Sequence, residues 1–298
     1  MEGPTTVTAK LDPARAEAVR AVMEERGWTF APPPAHAAWS ARLPTVRAVY
    51  YASGKLVLQG KHAAQAAEEL LGEAPHPPYM KHAPKVPTVG SDEAGKGDFL
   101  GPLVVAAALV RPGQEGLLEE YGVRDSKTMG DREAASVAAL IRQTLPHAVV
   151  SIPPPRYNEL HREMGANLNR LLAWAHARAI EDVLAKPEAA GALALVVDQF
   201  AKGRVLPDAL LPRARALTLE MRPRAEDHPA VAAASVLARD AFLSGLRRLG
   251  DEIGVPLGKG AGPPADQSAR RVLAKGGRAL LARVAKMHFK NAAKVGAA

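Results

Sequence analysis

Eight consecutive apolar residues, LVVAAALV at 103–110, follow an earlier apolar stretch that begins at Val86 and ends at two adjacent carboxylates, Asp92 and Glu93. Between the two lies AGKGDFLGP, in which Gly95 and Gly97 frame a single lysine, Lys96. Both apolar runs read as strands. Adjacent acids at a strand end are costly to bring together unless a cation sits between them. Glycines beside them let the backbone approach a ligand closely. Hard carboxylate oxygens favour magnesium, and magnesium favours phosphates. This one stretch therefore points to a metal-dependent enzyme acting on a phosphate-containing polymer.

The remainder of the chain supplies a frame for that site. After residue 86, strand-like runs at 86–92, 103–110, 148–152 and 193–198 alternate with helical stretches at 131–145, 167–186 and 228–249. Such alternation predicts an α/β domain with a mixed central sheet flanked by helices. Sites in open α/β sheets gather at strand C-terminal ends, where Asp92-Glu93 and Asp198 fall. The first 72 residues follow a different pattern. Short strands at 5–10, 46–52 and 55–59, the last two around Ser53-Gly54, are joined by helical stretches to make a small α+β unit. Five prolines within EAPHPPYMKHAPKVP exclude regular structure there. The expected organisation is thus a unit at 1–72, a linker at 73–87 and a larger domain at 88–298.

The net charge of +8 favours a polyanionic partner. The chain has no cysteine, which excludes disulfides and thiolate metal sites. The N-terminus carries no apolar stretch long enough for a signal peptide, and the 103–110 run is too short to cross a bilayer. A cytoplasmic protein without a membrane partner is expected. The tail from Lys259 is rich in Lys and Arg, including Lys286, and reads as a solvated helical face or a phosphate contact.

A third and a fourth acidic position join the first pair: Asp198 in LALVVDQF and Glu226 in RPRAEDHPAVAAASVLARD. Alone, Asp198 would read as a turn or cap residue, and Glu226 as a favourable charge at a helix start. Asp227, just before His228-Pro229, has the better position for capping that helix.

In conjunction and in this order, the motifs resemble the type 2 ribonucleases H. DEAGKGDFLGPLVVAAALV looks like the first motif of that family. DSKTM at 125–129, NLNRLLAWAHARAIE at 167–181, VVDQF at 196–200 and AEDHPAVAAASVLAR at 225–239 follow in family order. Lys96 and Glu226 stand where the HII subtype usually has arginine and aspartate. VRAVYYASGKLVLQGKHAA is similar to the extra N-terminal domain of the HIII subtype, whose fold resembles TATA-binding protein. The resemblance implies a ribonuclease H-like mixed sheet behind that small α+β domain. It implies an endonuclease that hydrolyses the RNA strand of RNA–DNA hybrids, leaving 5′-phosphate and 3′-hydroxyl ends. It further implies two Mg2+ ions, with Mn2+ as the alternative, held by Asp92, Glu93, Asp198 and Glu226.

Phosphodiester hydrolysis needs an activated water, charge neutralisation and help for the leaving oxygen, and two metals about 3.5–4 Å apart supply all three. Selecting RNA requires reading a 2′-hydroxyl. By resemblance, that contact belongs to Gly95, Lys96 and Gly97, with Ser126 and Lys127 as phosphate contacts. Two other functions stand beside this one. An HII-type enzyme would cut at single embedded ribonucleotides. A non-catalytic hybrid- or DNA-binding protein would gain nothing from four acids facing phosphates. A monomer is expected.

Overall fold

A computed structural model describes residues 5–11, 13–71, 84–124, 126–201 and 203–297. Most of the expected linker, and Asp125 of the DSKTM motif, lie outside the described residues. The chain forms two compact units, residues 1–76 and 77–298.

The first unit contains β1 (Thr5–Lys10), α1 (Pro13–Glu25), β2 (Thr29–Ala31), β3 (Ala37–Leu43), β4 (Val46–Tyr51), β5 (Lys55–Gly60) and α2 (Ala63–Leu71). Its five strands form one antiparallel sheet in the order β1-β5-β4-β3-β2. Gly54 turns the β4–β5 hairpin with a left-handed φ of 83°. Strand alternation sends Ala41, Val46, Ala48, Tyr50, Leu56 and Leu58 to the face that packs with Ala16, Val19, Met23, Ala63 and Ala67 of the two helices. Tyr50 belongs to this core, stacked on Trp39 with ring centroids 5.4 Å apart. The opposite face carries exposed Lys10, Arg42, Arg47 and Lys55. Its register sets Lys10 against Lys55 and Arg42 against Arg47.

The second unit begins with β6 (Thr88–Ala94), β7 (Leu103–Val110), α3 (Glu115–Glu120), α4 (Asp131–Thr144), β8 (His147–Ile152), α5 (Pro154–Glu163) and α6 (Leu168–Leu184). It continues with β9 (Ala194–Asp198), α7 (Val205–Ala209), α8 (Pro212–Arg215), β10 (Thr218–Arg222), α9 (Pro229–Ile253), α10 (Pro263–Val284) and α11 (Lys290–Lys294). The sheet runs β10-β9-β6-β7-β8. β6 is parallel to β9 and antiparallel to β7, so the sheet is mixed. β7 is buried along its whole length. Its even-numbered residues join a core with α4, α9 and α10, and its odd-numbered residues join a core with α5 and α6. That division explains the unbroken apolar run: a central strand covered on both faces has no solvent side on which to place a polar residue.

The helix α9 is long and apolar enough by composition to cross a membrane. Here it is the packed centre of the unit, with Ala230, Val231, Ala232, Ala233 and Ala234 fully buried against the sheet. The run of alanines lets it lie close. At Gly90 of β6, a Cβ would fall 2.2 Å from the backbone carbon of Ala230, so only glycine permits this approach.

Arg270, Arg271, Lys275, Arg278, Arg283, Lys290 and Lys294 of the basic tail are exposed as expected, but one residue departs from that pattern. Lys286 is fully buried and donates to the carbonyl of Gly101 at 2.6 Å. Burial pushes its amine down to about 7. It is a structural clasp rather than a solvated charge, because the segment after α10 folds back over the turn before β7.

Candidate active site

Asp92 and Glu93 are the last polar side chains of β6 before its glycine turn. Alternation sends them to opposite faces of the sheet. Gly90, Asp92 and Ala94 face α9, while Val89, Ser91 and Glu93 face α6. The parallel pairing of β6 with β9 runs to Ser91↔Val197. One step further along each strand stand Asp92 and Asp198, both on the α9 face.

Asp92 is held by hydrogen bonds from the Ser235 hydroxyl of α9 and from the backbone N–H of Glu93, the latter at 2.8 Å. Burial first, and the neighbouring charges of Glu93 and Asp198 after it, raise its carboxyl to about 7. Ser235 in turn bonds Ser126 Oγ at 2.8 Å. The sequence places Ser126 at phosphate; the structure turns its hydroxyl inward, leaving the residue 5% exposed. Arg239 holds this loop by donating to the carbonyls of Ser126 and Met129 at 2.7 and 3.1 Å. The neighbouring Lys127 stays exposed.

Asp198 accepts a hydrogen bond from the N–H of Ala225 at 3.1 Å. Ala225 also packs on Val196 and Val231. This contact pins a short 3-10 turn, Ala225–Asp227, beside the end of β9 and brings Glu226 to the same strand ends. Asp227 does not cap α9. His228 is the cap, its Nδ1 accepting from the N–H of Ala230 at 3.2 Å. Asp227 is drawn away by Arg222 of β10, at 2.5 Å. Nothing in TLEMR marks β10 as a strand from which an arginine reaches this turn.

On the other face, Glu93 Oε2 meets His176 Nε2 of α6 at 3.1 Å, and Glu93 Oε1 accepts from Lys96 Nζ at 3.2 Å. Burial pushes the Glu93 carboxyl up, but the hydrogen bonds and charges of His176 and Lys96 outweigh it and leave it at about 2. Gly95 has φ 84°, and a Cβ there would fall 2.2 Å from the carbonyl oxygen of Pro102, so it is required by the turn itself. Gly97 is exposed, with open space where a Cβ would stand. The three residues thus divide into a buried hinge, a lysine leaning on Glu93 and a free rim.

His176, Ser91 and Ser235 were not singled out as functional by the sequence. Each is a polar residue inside an apolar run, which is the one signal that could have found them.

The donor set suits a divalent cation. Four carboxylates stand on neighbouring segments, β6, β9 and the 225–227 turn, and burial plus the charges of Glu93 and Asp198 already drive Asp92 towards its neutral form. As the side chains stand, no three of the described acids or histidines converge on a single point. Asp198 is turned to Ala225 and Glu93 to His176, the alternatives open to carboxylates that repel one another.

A mixed five-stranded sheet with acids at two adjacent strand ends defines a nuclease with the ribonuclease H-like fold. Comparison with known proteins agrees. The family model described as Ribonuclease HII matches residues 89–292, and Domain of unknown function (DUF3378) matches residues 10–83. Ribonuclease HIII of Protochlamydia amoebophila is 38% identical over 291 residues, covering 96% of this chain and 94% of its own length. Ribonuclease HIII of Chlamydia pneumoniae is 39% identical over 279 residues, covering 91% and 92%. The crystal structure of Bst-RNase HIII in complex with Mn2+ is similar over 98% of both chains, with a TM-score of 0.69 and 32% identity. The chain belongs to the ribonuclease HIII family.

Proposed function

We infer that the protein is an endonuclease that hydrolyses the RNA strand of RNA–DNA hybrids, using two Mg2+ ions held by Asp92, Glu93, Asp198 and Glu226. The observation that carries this reading is the placement of Asp92 and Asp198 side by side at parallel strand ends, with Asp92 pushed up to about 7. When bound, such ions supply charge neutralisation at the phosphate and a nucleophilic water at neutral pH. The chain's own residues supply the geometry. Asp92 is fixed from α9 by Ser235, Asp198 from the 225–227 turn by Ala225, and Glu93 from α6 by His176. Mn2+ is the natural alternative metal, since the related Bst enzyme has been crystallised with it.

The glycine turn is the proposed 2′-hydroxyl reader. Gly97 offers the open rim at which a ribose fits, and Lys127 stands as a phosphate contact. Ser126 then acts on Asp92 through Ser235 rather than on the substrate. The bare face of the N-terminal sheet supports a hybrid grip. Exposed like charges opposite each other, Lys10 with Lys55 and Arg42 with Arg47, are unfavourable by themselves and favourable against a polyanion. The proposed organisation is a substrate-binding unit at 1–72, a linker at 73–87 and a catalytic domain at 88–298. The protein would work as a cytoplasmic monomer, in keeping with a chain without cysteine.

The test is cleavage of an RNA–DNA hybrid, double-stranded RNA, double-stranded DNA and a DNA duplex with one embedded ribonucleotide, with and without Mg2+. Metal-dependent cutting of the hybrid with 5′-phosphate products is expected. Efficient cutting at the single ribonucleotide would shift the reading towards an HII-type activity, and hybrid binding without cleavage would overturn the enzymatic reading.

A further inference from the structure

His176 is fully buried in α6, within the apolar run LLAWAHARAI. A buried imidazole is costly unless its polar atoms are matched. Both ring nitrogens are matched. Nδ1 lies 2.7 Å from Ser91 Oγ, and Nε2 lies 3.1 Å from Glu93 Oε2. Ser91 is itself fully buried, and its hydroxyl is within 3.0 Å of the carbonyl of Ala106 on β7. One face of the imidazole stacks on Phe200, with centroids 4.8 Å apart and planes 8° from parallel. The ring is therefore fixed at both edges and on a face. Phe200 itself follows Asp198 by two residues, so the clamp is tied to both acid-bearing strands.

Glu93 needs such a clamp. Its side chain has one more rotatable bond than that of Asp92, and its second anchor, Lys96, sits on the solvent-facing glycine turn with 38% of its side chain exposed. A strand neighbour could not serve. Glu93 faces away from Asp92 and α9, so of these two helices it is α6 that reaches it. An apolar side chain at 176 would fill the same space but remove the contact that links the two, leaving Ser91 with the Ala106 carbonyl and Glu93 with Lys96.

We propose that His176, braced by Ser91, is a positioning residue that sets the orientation of the Glu93 carboxylate towards a divalent cation. The inference rests on the reading of Glu93 as a metal ligand. Partners of this kind, one step behind a ligand, change metal affinity by about 10- to 100-fold when removed.

The experiment measures Mn2+ binding to the substrate-free, full-length protein by titration calorimetry, with metal-free thermal unfolding and hybrid kinetics alongside. His176→Phe keeps the stacking on Phe200 and removes both polar contacts. It should weaken Mn2+ binding by about 10-fold or more, lower kcat at limiting metal and leave the KM for the hybrid unchanged. His176→Gln, which retains an N–H donor, should recover part of the affinity. Ser91→Ala removes only the brace and should weaken binding in the same direction, by at least about threefold. This variant decides the matter if the phenylalanine substitution fails to fold.

A folded His176→Phe or Ser91→Ala protein that binds Mn2+ as the parent does overturns the proposal, even if its melting temperature falls. Glu93→Gln separates the two layers of the argument. If it binds Mn2+ normally, the ligand reading itself fails. If it binds weakly while His176→Phe binds normally, only the positioning role fails.

Discussion

On the α9 side of β6, Gly90 removes a side chain so that the Ala230 backbone can close to van der Waals distance, and Asp92 stands next in line with Asp198 beside it. On the α6 side, Ser91 and Glu93 keep polar side chains, and a buried histidine fills the space between them and the helix. Two acids adjacent in sequence thus live in different environments. One is crowded by other carboxylates and pushed up to about 7; the other is ringed by cationic and hydrogen-bonding partners and held near 2. Adjacency along a strand does not mean shared surroundings, because the pleat separates neighbours by the full thickness of the sheet. A metal at the strand ends would draw on both environments.

The largest expected effect tests the crowded face. Asp92→Asn keeps the shape and removes the charge, so kcat on an RNA–DNA hybrid should fall at least about 10³-fold while hybrid binding persists. Single-turnover cleavage at saturating enzyme checks this, and near-normal turnover would sink the assignment of Asp92.

Next comes the close approach that builds that face. Gly90→Ala places a Cβ 2.2 Å from backbone, which no rotamer can relieve. A loss of about 3 kcal/mol in urea unfolding is expected. A loss below about 1 kcal/mol would mean that α9 can move away from β6 without penalty.

Whether the crowded face includes a third acid is decided at the turn after β10. Glu226→Gln should lower kcat by about 10²-fold and raise the Mg2+ concentration needed for half-maximal rate. Asp227→Asn should cost at most about 1 kcal/mol of stability, from its pair with Arg222, and leave activity near normal. A dead Asp227→Asn beside an active Glu226→Gln would exchange the two assignments.

The subtlest test separates the faces by pH in metal-free buffer. The Asp92 carboxyl is raised from 3.8 to about 7, so between those values the folded chain holds a proton that the unfolded chain has released. Its contribution to stability therefore falls as pH rises through that window. The Glu93 carboxyl is lowered from 4.5 to about 2, so its contribution is full above 4.5 and is lost as pH falls towards 2. Thermal unfolding should show Asp92→Asn gaining on the parent between pH 4 and 7. Glu93→Gln should trail the parent above pH 4.5 and converge with it in acid. Parallel pH profiles for the two variants would erase the distinction between the faces.

Much of the catalytic frame was legible in the chain. The runs at 86–92, 103–110 and 193–198 became β6, β7 and β9, because buried strands must be apolar and their ends are where acids can stand. The strand β10 was not legible: TLEMR alternates at a sheet edge without an apolar signature. With it went Arg222, and so the fate of Asp227. β3 and α5 are equally hard to see in the chain, the one a short run containing Ser40 and Arg42, the other opened by a pair of prolines.

The sequence by itself singled out the candidate acids: Asp92, Glu93 and Asp198 where apolar runs end, and Glu226 ahead of the helix that opens at His228-Pro229. Their spacing along the chain could not say which neighbours would touch them. That depended on strand pairing and on which helix covers each face. These decisions come from packing between segments as much as 143 residues apart, as between Asp92 and Ser235, and no local pattern encodes them. Tertiary structure alone turned Ser126 inward, buried Lys286, and set His176 against Glu93, because a buried polar atom must find its partner wherever the fold brings one within reach.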